Sequence, residues 1–288
     1  MRARRLASVV CLVSLSTSAQ SSSSSVTGAP TTVQAASIIG QSLTALNGGL
    51  PVSDVTMKGA YTVTDAQGTQ SGTITLVATA SGQGQSTVNL PSGSYTETRS
   101  ISSSSAGMIE TGPDGVPHAI STQTALSPNP AWFYPALVLA SASSPNYASS
   151  YVGQETLDGE TVHHLAVWWL PAGSSGPPSP TLTRFWQQAT QHDIYLNVSS
   201  LLPVSMTFLL HPYDPNNPGK PLVTYRGSSL DGTVELRFSD YQQVQGRLVA
   251  LHIHSTLKAG ARFVTSDIQV SSVAFNTGAT VAMPTAVN

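Results

Sequence analysis

Two histidines, His252 and His254, stand two residues apart in the run LVALHIHSTLK. On an extended chain that spacing puts both imidazoles on one face, where two ring nitrogens can chelate a metal ion. Beside Thr256 and Lys258 the same spacing also describes the solvated face of a sheet, and the residues favour that plainer reading, so no metal is expected. His163 and His164 are adjacent and point to opposite faces; at most one of them can join the pair. Glu97 and Arg99 share a strand face with Tyr95 and Ile101. On an inner wall they would form an ionic pair able to grip a polar head group. On a wet face, the commoner case, such a pair contributes about 0–1 kcal/mol. Asp240 and Tyr241 read as a strand-end turn with a packing tyrosine, and Asn197-Val198-Ser199 has the form of a glycosylation sequon. There is no Gly-x-Ser-x-Gly elbow, no His-Glu-x-x-His and no phosphate-binding glycine loop. Gly68, Gly82 and Gly84 fit hairpin turns. No catalytic residue, no enzyme activity and no cofactor follow.

The elements that must carry these side chains are strands. Val234, Leu236 and Phe238 alternate with Glu235, Arg237 and Ser239; Val249, Leu251 and Ile253 alternate with Ala250, His252 and His254. A third run, 263–275, follows the turn Lys258-Ala259-Gly260. A period of two over such lengths predicts a meander in the wall of a large antiparallel sheet. Upstream, Val55, Met57, Gly59, Tyr61 and Val63 mark a strand, Ile74, Leu76 and Ala78 a second, Val88 and Leu90 a third, and 95–102 a fourth. Connections this short are up-and-down, since a parallel crossover needs a dozen residues or more. Residues 108–121 form a hairpin around Pro113-Asp114-Gly115, and 151–157 and 161–170 another around Asp158-Gly159. Ile194, Leu196 and Val198, then Val204, Met206, Phe208 and Leu210, complete the strands; 211–221 is a proline-rich excursion.

Three stretches have helical spacing. Ala35, Ile38, Ile39, Ser42, Leu43 and Leu46 make one stripe, stopped by Asn47-Gly48-Gly49. A short helix starts near Pro135 in the apolar patch 130–139, behind Trp132 and Phe133, and Leu182, Phe185, Trp186 and Ala189 mark another after the loop 171–180. An apolar patch of this kind must lie against the sheet.

The start of the chain reads as a secretory leader. Arg2, Arg4 and Arg5 precede the apolar run 6–15, and Thr17-Ser18-Ala19 supplies small residues for cleavage near Ala19. The run is too short for a membrane span, which needs roughly 20 residues. Cys11, the only cysteine, lies inside the leader, so the exported chain has no thiol and no disulfide, and its stability must come from a core. Removing three arginines takes the formal charge from −2 to −5. Only 9% of residues are charged and no basic cluster exists, which excludes a nucleic-acid partner. The expected organisation is a leader over 1–19, a Ser-rich tether over 20–32, one domain over 33–276 and a tail over 277–288.

The order of these elements resembles the periplasmic lipoprotein-carrier superfamily of Lol type and its secreted bacterial relatives. The likeness is carried by Tyr241-Gln242-Gln243-Val244-Gln245-Gly246 followed by a strand, and by Leu201-Leu202-Pro203 after the Ile194 strand. Relatives often have a proline four residues after that glycine, where this chain has Ala250. The resemblance implies an α+β fold, mainly antiparallel β: a half-open curved sheet or incomplete barrel of about ten or eleven strands, with an N-terminal helix and inserted helices on its concave face. It implies a secreted or periplasmic binding protein for lipid or lipoprotein acyl chains, in which a charged residue on the cavity wall controls release. On that reading Met57, Tyr61, Leu76, Trp132, Phe133, Val167, Trp169, Met206 and Phe208 line the ligand site. Two other readings stand beside it: a structural or interaction module of the envelope with a packed interior, and a metal-dependent hydrolase in which His252 and His254 converge with a carboxylate.

Overall fold

The computed structural model describes residues 32–103, 105–171, 179–211, 213–214, 217–221 and 232–286. The leader, the tether up to residue 31, most of the loop 171–180, parts of the excursion after His211 and the last two residues of the tail lie outside the described residues.

The first helix, α1 (Val33–Asn47), is amphipathic as its spacing requires. Thr32 caps it, its hydroxyl accepting from the Ala35 amide at 3.1 Å, and Gly48, at a φ of 57°, ends it in the left-handed conformation that suits glycine. Six strands follow: β1 (Asp54–Asp65), β2 (Gly68–Thr79), β3 (Gln83–Leu90), β4 (Gly93–Ile101), β5 (Ala106–Thr111) and β6 (Pro117–Ala119). An insert with two short helices, α2 (Thr122–Ala125) and α3 (Pro135–Ser141), leads to β7 (Tyr147–Leu157) and β8 (Glu160–Trp169). After α4 (Pro180–Thr190) come β9 (His192–Asn197) and β10 (Pro203–Leu210). The excursion holds a two-stranded ribbon, β11 (Tyr213–Asp214) and β12 (Asn217–Pro221), before the meander β13 (Gly232–Val244), β14 (Arg247–Ala259) and β15 (Arg262–Phe275).

Thirteen strands form one antiparallel sheet in the order β6-β5-β4-β3-β2-β1-β15-β14-β13-β10-β9-β8-β7. The count exceeds the ten or eleven expected because both arms of the hairpin after Ser105 join the sheet, although β6 is too short to show an alternation. Two up-and-down runs are welded where β1 pairs with β15. Three local expectations need correction. Val198 falls outside β9, since Asn197 Oδ1 accepts from the Ser199 and Ser200 amides at 2.9 Å and turns the chain. Asp240 and Tyr241 lie inside β13, and the turn comes later, at Gln245-Gly246. Gly84 is not in a turn but within β3, where a β-carbon would stand 2.2 Å from the Pro130 carbonyl oxygen: the insert lies directly on the strand there.

The sheet is strongly curved. Arg99 on β4 donates to the Ser127 carbonyl, and two residues on the Asn129 amide donates to His192 on β9. These strands are eight places apart in the sheet order, on the order of 40 Å if the sheet were flat. Only curling brings both within reach of one short loop. The concave face holds the main core, to which α1 contributes Ala35, Ile38, Ile39 and Leu46, and α3 contributes Ala136, Leu137, Val138 and Leu139. Helix α1 touches α3, β14 and β7, and its cap residue also covers the β7 edge, the Thr32 amide donating to Ser149 O at 3.1 Å. At the far rim β12 comes against α2 and β6.

Candidate functional site

Cross-strand partners share a face, so the register identifies the inner wall. Met57, Leu76, Ser86, Glu97 and Glu110 form one row across β1 to β5; Val55, Ala78, Gly84, Arg99 and Met108 form the next. Glu97 and Arg99 therefore face inward with the apolar core. Arg99 is 2% exposed. Its Nε pairs with Glu97, and its Nη1 donates to the carbonyls of Thr124 at 3.1 Å and Ser127 at 2.9 Å. A buried guanidinium is tolerable only when its donors are met, and here Glu97 meets Nε while the backbone of the insert meets Nη1. One cation thus fastens the start of the insert to the wall.

His192 fastens the next part. The Asn129 amide donates to its Nε2 at 3.0 Å, and its Nδ1 faces the Thr190 carbonyl at 2.9 Å, which fixes the neutral tautomer with the proton on Nδ1. Complete burial pushes its pKa down to about 4, against the opposing pull of Thr190 O and Asp193 and with a further push from Arg99. Asn129 in turn accepts from the Ala131 amide at 2.9 Å and reaches the Tyr147 hydroxyl at 3.4 Å; burial first of all raises the Tyr147 pKa to about 12. Just before α3, Tyr134 donates to Asn47 Oδ1 at 3.0 Å and packs against Phe275, over which Arg247 stacks at 4.7 Å. Arg247 also donates to Pro51 O at 2.8 Å. The insert is therefore pinned by polar contacts at 124–129 and at Tyr134, and α3 beyond them lies on apolar surface.

Of the nine residues expected to line a ligand site, Met57, Leu76, Phe133, Val167, Met206 and Phe208 are buried in the main core, and Tyr61 and Trp132 pack on its border. Trp169 belongs to a neighbouring cluster with Ile101, Leu126 and Ala189 and meets Trp186 edge-on at 5.1 Å. Helices and insert fill the space in front of them. Open volume lies elsewhere. A groove of about 260 Å³ runs between the C-terminal half of α1 and α3, lined by Leu43, Leu50, Val52, Ala136, Leu137 and Ala140. Another of similar size opens on the inner face of the β3–β5 wing, with Val88, Tyr95, Glu97 and Glu110 among its walls.

His252 and His254 lie on the opposite, convex face and do converge on a carboxylate. His252 Nε2 and His254 Nδ1 stand 3.0 and 2.9 Å from the same oxygen, Asp267 Oδ1. Partial burial opposes ionisation of Asp267, but the two histidines prevail and hold its pKa below the usual value. Among the described residues no group of three or more His, Cys, Asp and Glu is placed to hold a metal ion. His164 is engaged separately, between Glu155 at 2.7 Å and Asp193 at 2.9 Å, while His163 faces the Tyr151 hydroxyl at 3.1 Å.

His192 and Arg247 escaped the sequence reading although a signal existed. His192 has the parity of Ile194 and Leu196, and Arg247 that of Val249 and Ile253, all of which point inward. The two motif stretches also meet, Tyr241 donating to Pro203 O at 2.7 Å and Ser42 of α1 to Leu201 O at 2.7 Å. No helix among the described residues is long and apolar enough to cross a membrane.

No family model matches the sequence, and no curated protein matches it. Solved structures do match in shape. A LolA superfamily protein from Nitrosomonas europaea is 10% identical, with a TM-score of 0.47 over 84% of this chain and 93% of that one. A DUF1329 family protein from Desulfovibrio piger is 10% identical, with a TM-score of 0.50 over 86% of this chain and 94% of that one. The chain shares the fold of this second protein, an open curved antiparallel sheet with helices on its concave face, which is the architecture the resemblance implied.

Proposed function

We propose that the protein is an exported, non-enzymatic binding protein for an acyl-type ligand, and that α1 and the insert fill its site when no ligand is bound. The observation that carries this reading is the groove between α1 and α3, lined mainly by apolar residues of which Leu43, Val52, Ala136 and Leu137 also belong to or pack on the main core. At about 260 Å³ it falls short of the roughly 300–1,000 Å³ of ordinary ligand pockets, so a long chain enters only if the helices part. The exchange is energetically feasible. A chain of about twelve methylenes gains roughly 10 kcal/mol on burial, against about 5–9 kcal/mol for Ile38, Ile39 and Leu46 of α1 together. Arg99 is the charged wall residue best placed to govern release, because it holds the insert through backbone carbonyls that must move.

A second reading, a structural or interaction module, draws on the dense packing around the nine expected lining residues. One experiment separates the two. Native mass spectrometry of protein recovered from its own envelope should find a co-purifying lipid, and an environment-sensitive acyl probe should bind and be displaced by fatty acid. A bare chain mass together with no probe binding would leave the module.

A further inference from the structure

The strands β8 and β14 run in the same sense, so α4, which follows β8, and the β14–β15 turn lie at the same rim of the curved sheet. Both places expose apolar side chains: Leu182 is 47%, Phe185 52% and Phe263 55% exposed. Both also carry cations. Four lysines or arginines are exposed among the described residues, and three of them, Arg184, Lys258 and Arg262, are here. None of the three has an ion-pair partner among the described residues. The exposed acids at this rim are Asp65 and Asp114, in the β1–β2 and β5–β6 turns, whereas the opposite rim exposes Asp158, Glu160 and Asp240. In a chain with so few charges, three of the four exposed cations thus gather at one rim.

We propose that this rim docks on an anionic phospholipid surface. Aliphatic and aromatic side chains on separate projections, each flanked by unpaired cations, match a plane that accepts shallow insertion and attracts positive charge. They do not build one continuous groove or patch for a protein partner. The inference does not depend on an acyl ligand inside the sheet, because none of these residues faces the core.

The test is co-sedimentation of the full chain with vesicles of phosphatidylcholine alone and of phosphatidylcholine and phosphatidylglycerol in equal parts. Each variant keeps the same N-terminal segment, so differences report the rim. At about 1 kcal/mol per cation near the surface, loss of Arg184, Lys258 or Arg262 weakens partition to the mixed vesicles about fivefold, and reversal to Glu should weaken it by at least that much. The triple reversal should weaken it by at least about a hundredfold, and added salt should reproduce the loss. Leu182→Ser, Phe185→Ser and Phe263→Ser together should weaken binding while preserving its salt dependence. Trp186, beside Phe185 at 5.0 Å between ring centres, offers a fluorescence readout of α4 reaching the lipid. Partition unchanged by the triple reversal overturns the proposal. So does rim-dependent binding to an acidic protein with none to vesicles.

Discussion

His192 is kept neutral because the ring is fully buried and both its nitrogens serve backbone groups. Its pKa of about 4 lies below the 6.5 it has in the unfolded chain. Between those values the unfolded chain binds a proton that the folded one refuses, so stability rises with pH across the window. The gain is complete above about pH 6.5 and is lost as pH falls toward 4, up to about 3 kcal/mol. Asp193 and Arg99 face the ring with opposite influence, Asp193 raising and Arg99 lowering its pKa. His192→Gln, which can still offer an acceptor to Asn129 but cannot titrate, should flatten the pH dependence of the urea midpoint in this range. Wild type and variant curves that run parallel would mean that His192 is solvated in the fold and does not clamp the insert.

The insert needs more than its pins; it needs a strand it can touch. Gly84 provides that contact, since any β-carbon at this position meets the Pro130 carbonyl. Gly84→Ala should therefore cost about 1–3 kcal/mol by overpacking and lift the stretch 130–142 from β3. Hydrogen exchange should quicken in that stretch and not in β13 to β15; a wild-type midpoint with unchanged exchange would show that the contact gives way freely. Such elements were unequally legible in the sequence. The helix α1 announced itself by its spacing and its Asn-Gly-Gly stop, and the meander by alternation. Gly84 looked like turn chemistry because a glycine required by a chain more than forty positions away leaves no local mark. Arg99, His192 and Arg247 were obscured for a related reason. Alternation assigns polar residues to the wet face, whereas these face inward and are satisfied by distant carbonyls or amides, those of Thr124 and Ser127, Asn129, and Pro51.

At the scale of the whole molecule, the decisive property is that the sheet curls far enough for β4 and β9 to share one short loop. Periodicity says which face of each strand is apolar; it says nothing of how far strands eight places apart will bend toward each other. That is why the concave face could be inferred from resemblance but the residues that clasp it could not. If the closed form and a ligand-holding form are in equilibrium, the clasp sets their ratio. Arg99→Met leaves two insert carbonyls without their donor and Glu97 without its partner. Because Glu97 remains 29% exposed and can be hydrated, the closed form should lose only roughly 2–3 kcal/mol. A carrier answers that loss in two opposite directions. Its thermal midpoint falls, while the competent fraction rises and apparent affinity for an acyl probe increases, by up to about thirtyfold for 2 kcal/mol. A packed module shows the lower midpoint alone. Calorimetry and probe titration on the same two proteins distinguish these outcomes, and a weaker affinity in Arg99→Met would place the guanidinium on the ligand and not on the insert.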